Sequence, residues 1–252
     1  MRLATCVAAC LLVLLLVAGP ARAGEVRRGL DLASPVLGRP IPYTLYLPDG
    51  FASAGRFPVL FLLHGLGGRA DDWVEAGRLE ATLDRLTAER AVPPMAVVMP
   101  GLGDGWYVDN PDPGGLGALE TAFVRDLMPG IERRWSTAAR AIAGLSMGGW
   151  GALRLAMLHP EQFVAAAGLS AALVTEAKAR TPAWEGYFTG AFGRPFDLER
   201  FRAASPFGLI RSFARAPEPR PALFLTCGDD DELDLEEGNL LFHQALKHAG
   251  IR

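Results

Sequence analysis

An α/β fold, with a mostly parallel sheet and helices on both faces, is predicted by two features of this 252-residue sequence. Short, unbroken apolar runs alternate with stretches that carry apolar residues at three- and four-residue spacing. No repeat, low-complexity tract or long linker divides the chain, and its length suits one large core.

The apolar runs read as strands because an unbroken run has no polar side to turn to water, which fits a sheet buried on both faces. Ile41–Leu47 is the first, expected half-buried with Tyr43, Leu45 and Leu47 on one face. Val59–Leu63 follows, between Pro58 and the glycines at 65, 67 and 68. Met95–Met99, Ala139–Ala143, Phe163–Leu169 and Ala222–Cys227 complete the set. Helical periodicity covers 72–90, 116–135, 148–158 and 236–249. The segment 171–220 is less regular, with prolines at 182, 195, 206, 217 and 219, and is expected to make helical excursions over the carboxyl ends of the strands. Sheets of this kind carry their chemistry there.

Residues 1–23 stand apart. Arg2, the apolar run Val7–Ala18 and Ala21-Arg22-Ala23 before Gly24 form the pattern of a secretory signal peptide. Val7-Ala8-Ala9-Cys10 resembles a lipoprotein box, but it leaves almost no apolar segment before the cysteine. The expected organisation is a signal peptide at 1–23 and one α/β domain at 24–252, secreted or periplasmic and without a stable membrane anchor. Removing 1–23 takes Arg2 and Arg22 away and moves the net charge from −3 to −5. An acidic chain without a basic stripe argues against a nucleic-acid partner. Cys6 and Cys10 leave with the same segment, so Cys227 alone remains; neither an internal disulfide nor a cysteine-based metal site is expected.

Three motifs carry chemistry. Gly144-Leu145-Ser146-Met147-Gly148-Gly149 lies between a buried strand and a helix, the setting that a nucleophile elbow needs. The turn is tight enough to demand small residues two before and two after the serine, and the following helix N-terminus favours developing negative charge. A glycine-rich turn with an incidental serine is the plainer reading. His64-Gly65-Leu66-Gly67-Gly68 closes the strand Val59–Leu63, and its glycines let backbone approach a reacting carbonyl. Leu66 and Met147 N–H groups are the expected oxyanion donors, with His64 fixing the loop rather than acting as base. Gly65-x-Gly67-x-x-Ala70 also resembles a dinucleotide fingerprint, but no acid follows at the next strand end, and the elbow is then unexplained. Cys227-Gly228-Asp229-Asp230-Asp231-Glu232 follows the last strand, where a triad acid belongs in the order serine, acid, histidine. Its spacing misses the calcium-loop pattern, so no metal is expected, and no cofactor is needed.

These motifs occur in order with Trp106-Tyr107-Val108-Asp109 and Glu120. Together they resemble the esterase D family of α/β-hydrolases, which includes feruloyl esterases, S-formylglutathione hydrolases and the antigen 85 mycolyltransferases, from about residue 28 onward. The resemblance implies an α/β-hydrolase fold, an acyl-enzyme on Ser146, Asp231 as the acid, and structural roles for Trp106–Asp109 and Glu120. It also implies a histidine in a Gly-x-His motif after one more strand. The sequence stops at Arg252 before such a strand, so the last strand and helix are expected to be missing here. Of the four histidines, His64 and His159 lie in loops, and His243 and His248 lie on a helix expected to point them away from Ser146. Hydrolysis of a sugar or phenolic-acid ester is the activity implied. The alternatives are acyl transfer of the antigen 85 type, or a binding protein without catalytic histidine.

Overall fold

The computed structural model describes residues 23–51, 56–110, 112–135 and 137–251. The signal-peptide reading, with Cys6 and Cys10, lies outside the described residues except for Ala23. One sheet holds seven strands in the order β1 (Glu25–Leu32), β2 (Ile41–Leu47), β4 (Ala96–Pro100), β3 (Phe57–Leu63), β7 (Thr137–Leu145), β8 (Ala165–Leu169) and β9 (Ala222–Thr226). The first three are joined antiparallel, and every pairing from β4 to β9 is parallel. A separate ribbon pairs β5 (Asp109–Asn110) with β6 (Gly117–Ala118).

The expected strands all form, and β2 differs in one respect: it is buried on both faces. Tyr43, Leu45 and Leu47 enter the larger core, while Tyr46 enters a smaller one across the sheet. β1 went unread because Arg27-Arg28-Gly29 breaks any alternation, at a register shift between Arg27 and Leu30, and only Leu32 of the strand is buried.

Helices cover both faces. On one side, α1 (Asp72–Glu75) and α2 (Leu79–Ala88) bury Val74 and Leu83 against Leu62, Val97 and Met99. Periodicity had suggested one helix over 72–90; it breaks at Gly77, where a Cβ would come 2.6 Å from the Trp73 carbonyl, and at Arg78 with φ +50°. On the other side lie α3 (Leu119–Ala122), a wide π turn (Phe123–Leu127), α4 (Met128–Arg134) and α5 (Met147–Leu158). The 171–220 segment folds as α6 (Glu176–Ala179), α7 (Pro182–Phe192), α8 (Leu198–Ala204) and α9 (Pro206–Ala214), and α10 (Leu235–His248) follows β9. No described helix is long and apolar enough to cross a membrane.

The strand order locates the crevice. The chain moves from β3 outward to β4, then crosses back over β3 to β7, so β3 and β7 are neighbours whose connections leave in opposite directions. Ligands of open α/β sheets bind outside the carboxyl ends of the strands at such a switch point. Leu63 pairs with Gly144 there, so both glycine motifs emerge side by side.

A charge cluster ties α3 to α5 behind this crevice. Arg154 Nη2 donates to Glu120 Oε2 at 2.6 Å, and His159 Nε2 lies 3.0 Å from Glu120 Oε1. Burial pushes the Glu120 carboxyl up, but the hydrogen bond from His159 and the charge of Arg154 outweigh it and hold the group below the usual carboxylate range. A carboxylate lowered in the folded state contributes stability above its unfolded pKa of about 4.3, and the contribution is lost as pH falls through the folded value. Glu120→Gln would leave Arg154, whose side chain is 8% exposed, without its counter-charge. We expect a loss of about 3 kcal/mol at neutral pH, a fall in Tm of about 10 °C, with a shallower decline in Tm below about pH 5 than the parent shows. Thermal melts of both proteins across this range measure the difference.

Burial declines toward β9, the last strand of the sheet among the described residues, where Phe224 is 59% exposed. An edge strand with free N–H and C=O groups and an exposed aromatic is a template for pairing with another chain. Phe224→Lys is expected to lower concentration-dependent self-association in light scattering without lowering Tm by more than about 2 °C.

Candidate active site

The elbow owes its shape to contacts that exclude side chains. Ser146 has φ +53° and ψ −116°, a conformation that non-glycine residues adopt only when their surroundings impose it. A Cβ on Gly144 would meet the Gly148 carbonyl at 2.3 Å, and one on Gly148 would meet the Leu63 and His64 oxygens at 2.4 and 2.6 Å. Gly149 is similarly closed off by Ala171. The turn is pinned by Ser146 N–H to the Leu169 carbonyl at 2.9 Å, and the Ser146 carbonyl accepts from Trp150 and Ala172 N–H. Ser146 itself is half-buried, at the N-terminus of α5. Met147, as first residue of that helix, has an N–H with no intrahelical acceptor.

Beside it, Gly65 runs so close that a Cβ there would lie 3.6 Å from Ser146 Cβ. In the loop, Gly67 N–H is taken by Asp104 Oδ1 at 2.6 Å and Gly68 N–H by the Gly65 carbonyl at 3.0 Å. No internal acceptor takes Leu66 N–H among the described residues. His64 is buried, and its Nδ1 lies 2.7 Å from the Gly65 carbonyl. A carbonyl only accepts, so Nδ1 carries the proton and donates. The Gly65 oxygen is thus held twice, and in a trans peptide the Leu66 N–H must point the opposite way.

Register brings the acid loop to the same edge. Leu145 pairs with Leu169 and Leu169 with Thr226, so the ends of β7, β8 and β9 are aligned. Of the three consecutive acids, Asp229 and Asp230 are exposed, whereas Asp231 turns back: Oδ1 accepts from Leu233 N–H at 3.0 Å and Oδ2 lies 3.9 Å from Cys227 Sγ. Burial, and the carboxylates of Asp231 and Glu236, push the Cys227 thiol up, which keeps it protonated and a poor nucleophile.

The histidines do not join this group. His64 Nε2 is buried without a hydrogen-bond partner among the described residues, and His159 is bound to Glu120. His243 is exposed and lines a groove of about 550 Å³ between the end of β9 and α10, with Cys227 and Asp229. His248 ends α10, exposed. No imidazole is hydrogen-bonded to Ser146 among the described residues, nor do His, Cys, Asp and Glu side chains cluster there as a metal site.

Sequence reasoning missed Asp104 and the contacts of Tyr107. Asp104 caps the glycine loop through Gly67, and the Tyr107 hydroxyl donates to the His64 carbonyl at 2.9 Å. Both act across about forty residues of chain, and no local spacing signals such a bond. The aromatics of the 171–220 segment divide: Trp184, Phe188 and Phe192 are core residues, while Tyr187 is 44% exposed.

Gly148→Ala tests the close approach directly. The new methyl must displace backbone rather than a flexible side chain, so we expect a loss of about 3 kcal/mol or more and a Tm lower by about 10 °C. Gly186→Ala, at a helix position where a Cβ meets nothing within 4 Å, is the control and should be neutral or slightly stabilising in the same melts.

The Esterase family model matches residues 34–236 of this chain. An esterase of Mycobacterium tuberculosis is 39% identical over 132 residues, which cover 49% of this chain and 27% of that protein. An acetyl esterase of Caldicellulosiruptor saccharolyticus is 29% identical over 206 residues, 76% of this chain and 72% of that one. Among solved structures, a ferulic acid esterase superposes with a TM-score of 0.73 at 30% identity, covering 91% of this chain and 88% of the other. The chain spans about a quarter of the length of the mycobacterial relative. The family match runs from the β1–β2 loop into α10 and takes in the elbow, the glycine loop and the acid turn. The chain belongs to the esterase family and has the α/β-hydrolase fold.

Proposed function

We propose that this protein is a serine esterase that cleaves carboxylic esters through an acyl-enzyme on Ser146. The observation that carries the reading is the imposed φ of +53° at Ser146, beside a loop whose Leu66 N–H has no acceptor of its own. In the reaction, Ser146 Oγ bonds to the ester carbonyl carbon and the carbonyl electron pair moves to oxygen. Leu66 and Met147 N–H groups hold that oxyanion. Collapse breaks the bond to the alcohol, which leaves with a proton, and water then attacks the acyl-serine and frees the acid.

The proton relay needs a base between Ser146 and an acid. The ends of β7 and β9 are separated by two strand spacings, about 10 Å, which suits an imidazole bridging Ser146 and Asp231. Asp231 is the acid of this proposal because it alone of the three turns back toward the strand end. A second reading, a binding protein without turnover, is favoured by one observation: none of the four imidazoles is hydrogen-bonded to Ser146 among the described residues.

The solved neighbour is a ferulic acid esterase and one relative an acetyl esterase, which supports a phenolic-acid or acetyl ester as substrate here. Export rests on the pattern of residues 1–23 and agrees with a substrate outside the cytoplasm. The test is hydrolysis of p-nitrophenyl acetate and of a methyl ferulate. Ser146→Ala is expected to remove turnover, and Asp231→Asn, which acts only through an imidazole set between it and Ser146, to lower kcat by about 10⁴-fold in a protein that carries that imidazole. Equal rates for the parent and Ser146→Ala above the buffer background would reject the nucleophile. Rates at background in both, with ester still bound, would establish the binding reading.

A further inference from the structure

We propose that the Tyr107 hydroxyl is a positioning group for the oxyanion loop: by holding the His64 carbonyl it keeps Leu66 N–H facing the reaction centre. The inference rests on the serine-esterase reading and deepens it. Tyr107 is 1% exposed, and its hydroxyl donates to the His64 oxygen at 2.9 Å. Burial, with the Asp104 carboxylate nearby, pushes the Tyr107 hydroxyl up, so it stays a donor at every working pH. The same His64 oxygen lies against Gly148, where a Cβ would approach it to 2.6 Å. Rotating the His64–Gly65 peptide would therefore break the Tyr107 bond and open the contact with the elbow. The next peptide, Gly65–Leu66, is held by the His64 ring and Gly68 N–H. Two consecutive peptide planes are thus fixed, the first by Tyr107 and the second by His64, and Leu66 N–H is left with one direction.

The surroundings of Tyr107 are built for this bond. Trp106 and Tyr107 both have φ +54°, and two successive non-glycine residues in the left-handed region persist only where their neighbours impose them. Arg154 Nη1 donates to the Tyr107 carbonyl at 3.2 Å while Nη2 is held by Glu120. Trp106 Nε1 donates to the Tyr187 carbonyl on α7 at 2.8 Å. The Tyr107 ring lies against α5 where Gly151 has no side chain; a Cβ there would come 2.4 Å from the ring. Glu120 and Arg154 therefore brace a turn whose only side-chain hydroxyl reaches the loop beside the nucleophile.

Tyr107→Phe separates positioning from packing, because the ring keeps its contacts and only the hydroxyl is lost. With p-nitrophenyl acetate, kcat is expected to fall about tenfold or more while KM stays within about twofold, since a misaimed oxyanion donor weakens the transition state and not ground-state binding. Amide hydrogen exchange supplies a readout that needs no turnover. Gly67 and Gly68, whose N–H groups are hydrogen-bonded within the loop, should exchange about tenfold faster, with the amides of β3 and of α5 unchanged. Unchanged exchange at Gly67 and Gly68 overturns the proposal, and so does a rise spread equally through β3 and α5, which would mark packing alone. Full hydrolysis by Ser146→Ala would instead overturn the serine reading, and the exchange comparison would still report whether Tyr107 holds the loop.

Discussion

At the crevice between β3 and β7, Gly148 lies so near the carbonyls of Leu63 and His64 that a Cβ would come within 2.4 and 2.6 Å of their oxygens, and the rest of the site depends on that approach. It sets the first turn of α5 directly against the end of β3. Because Leu63 and Gly144 are register partners, the strands deliver both loops at one height, and the missing side chains let them close. Ser146 absorbs the resulting strain in its backbone, while its N–H and carbonyl are held by Leu169, Trp150 and Ala172. Backbone strain of this kind costs about 1–3 kcal/mol and persists only where a packed frame supplies it. Here the frame is α5, buried along nearly all its length between the sheet and α9.

The buried polar groups behind the crevice form a connected series rather than isolated pairs. Glu120 accepts from Arg154 and pairs with His159, Arg154 reaches the Tyr107 carbonyl, and the Tyr107 hydroxyl reaches the His64 carbonyl. Each link removes a polar group from an otherwise apolar interior, where an unmade hydrogen bond is costly. The series also connects α3, the turn at 105–108, α5 and the end of β3, four elements distant in sequence. The series ends at the glycine loop, where Gly67 and Gly68 N–H groups are taken by Asp104 and the Gly65 carbonyl, and no internal acceptor takes Leu66 N–H among the described residues.

The two ends of the sheet differ physically. Around β3 and β4, side chains are buried on both faces, so those strands are long unbroken apolar runs. At β9 the residues alternate between exposed and half-buried, and the groove toward α10 is lined by Thr226, Cys227, Leu240 and His243. Asp231 sits at the rim between these regimes, close enough to the strand end to be turned inward and far enough out to keep some solvent. Of the three consecutive acids, Asp231 alone is held back toward the strand end, by Leu233 N–H and beside Cys227.

The sequence by itself determined the fold class, six of the strands, and the elbow around Ser146, because each is signalled locally: unbroken apolar runs, helical spacing, and glycines where a turn admits nothing larger. It did not reveal β1, whose pairing rests on main-chain bonds to β2 with Arg27-Arg28-Gly29 in the middle. Nor did it reveal the break at Gly77–Arg78, where a Cβ on Gly77 would meet the Trp73 carbonyl, or the burial of β2 on both faces. The tertiary structure alone decided the partners of the glycine loop 64–68. Asp104 and Tyr107 lie 37 and 43 residues from the groups they hold, and hydrogen bonds over such distances follow from strand order and packing, not from spacing along the chain. It also decided that His243 lines a groove with the end of β9, since the side of the sheet on which α10 packs is a property of the whole core.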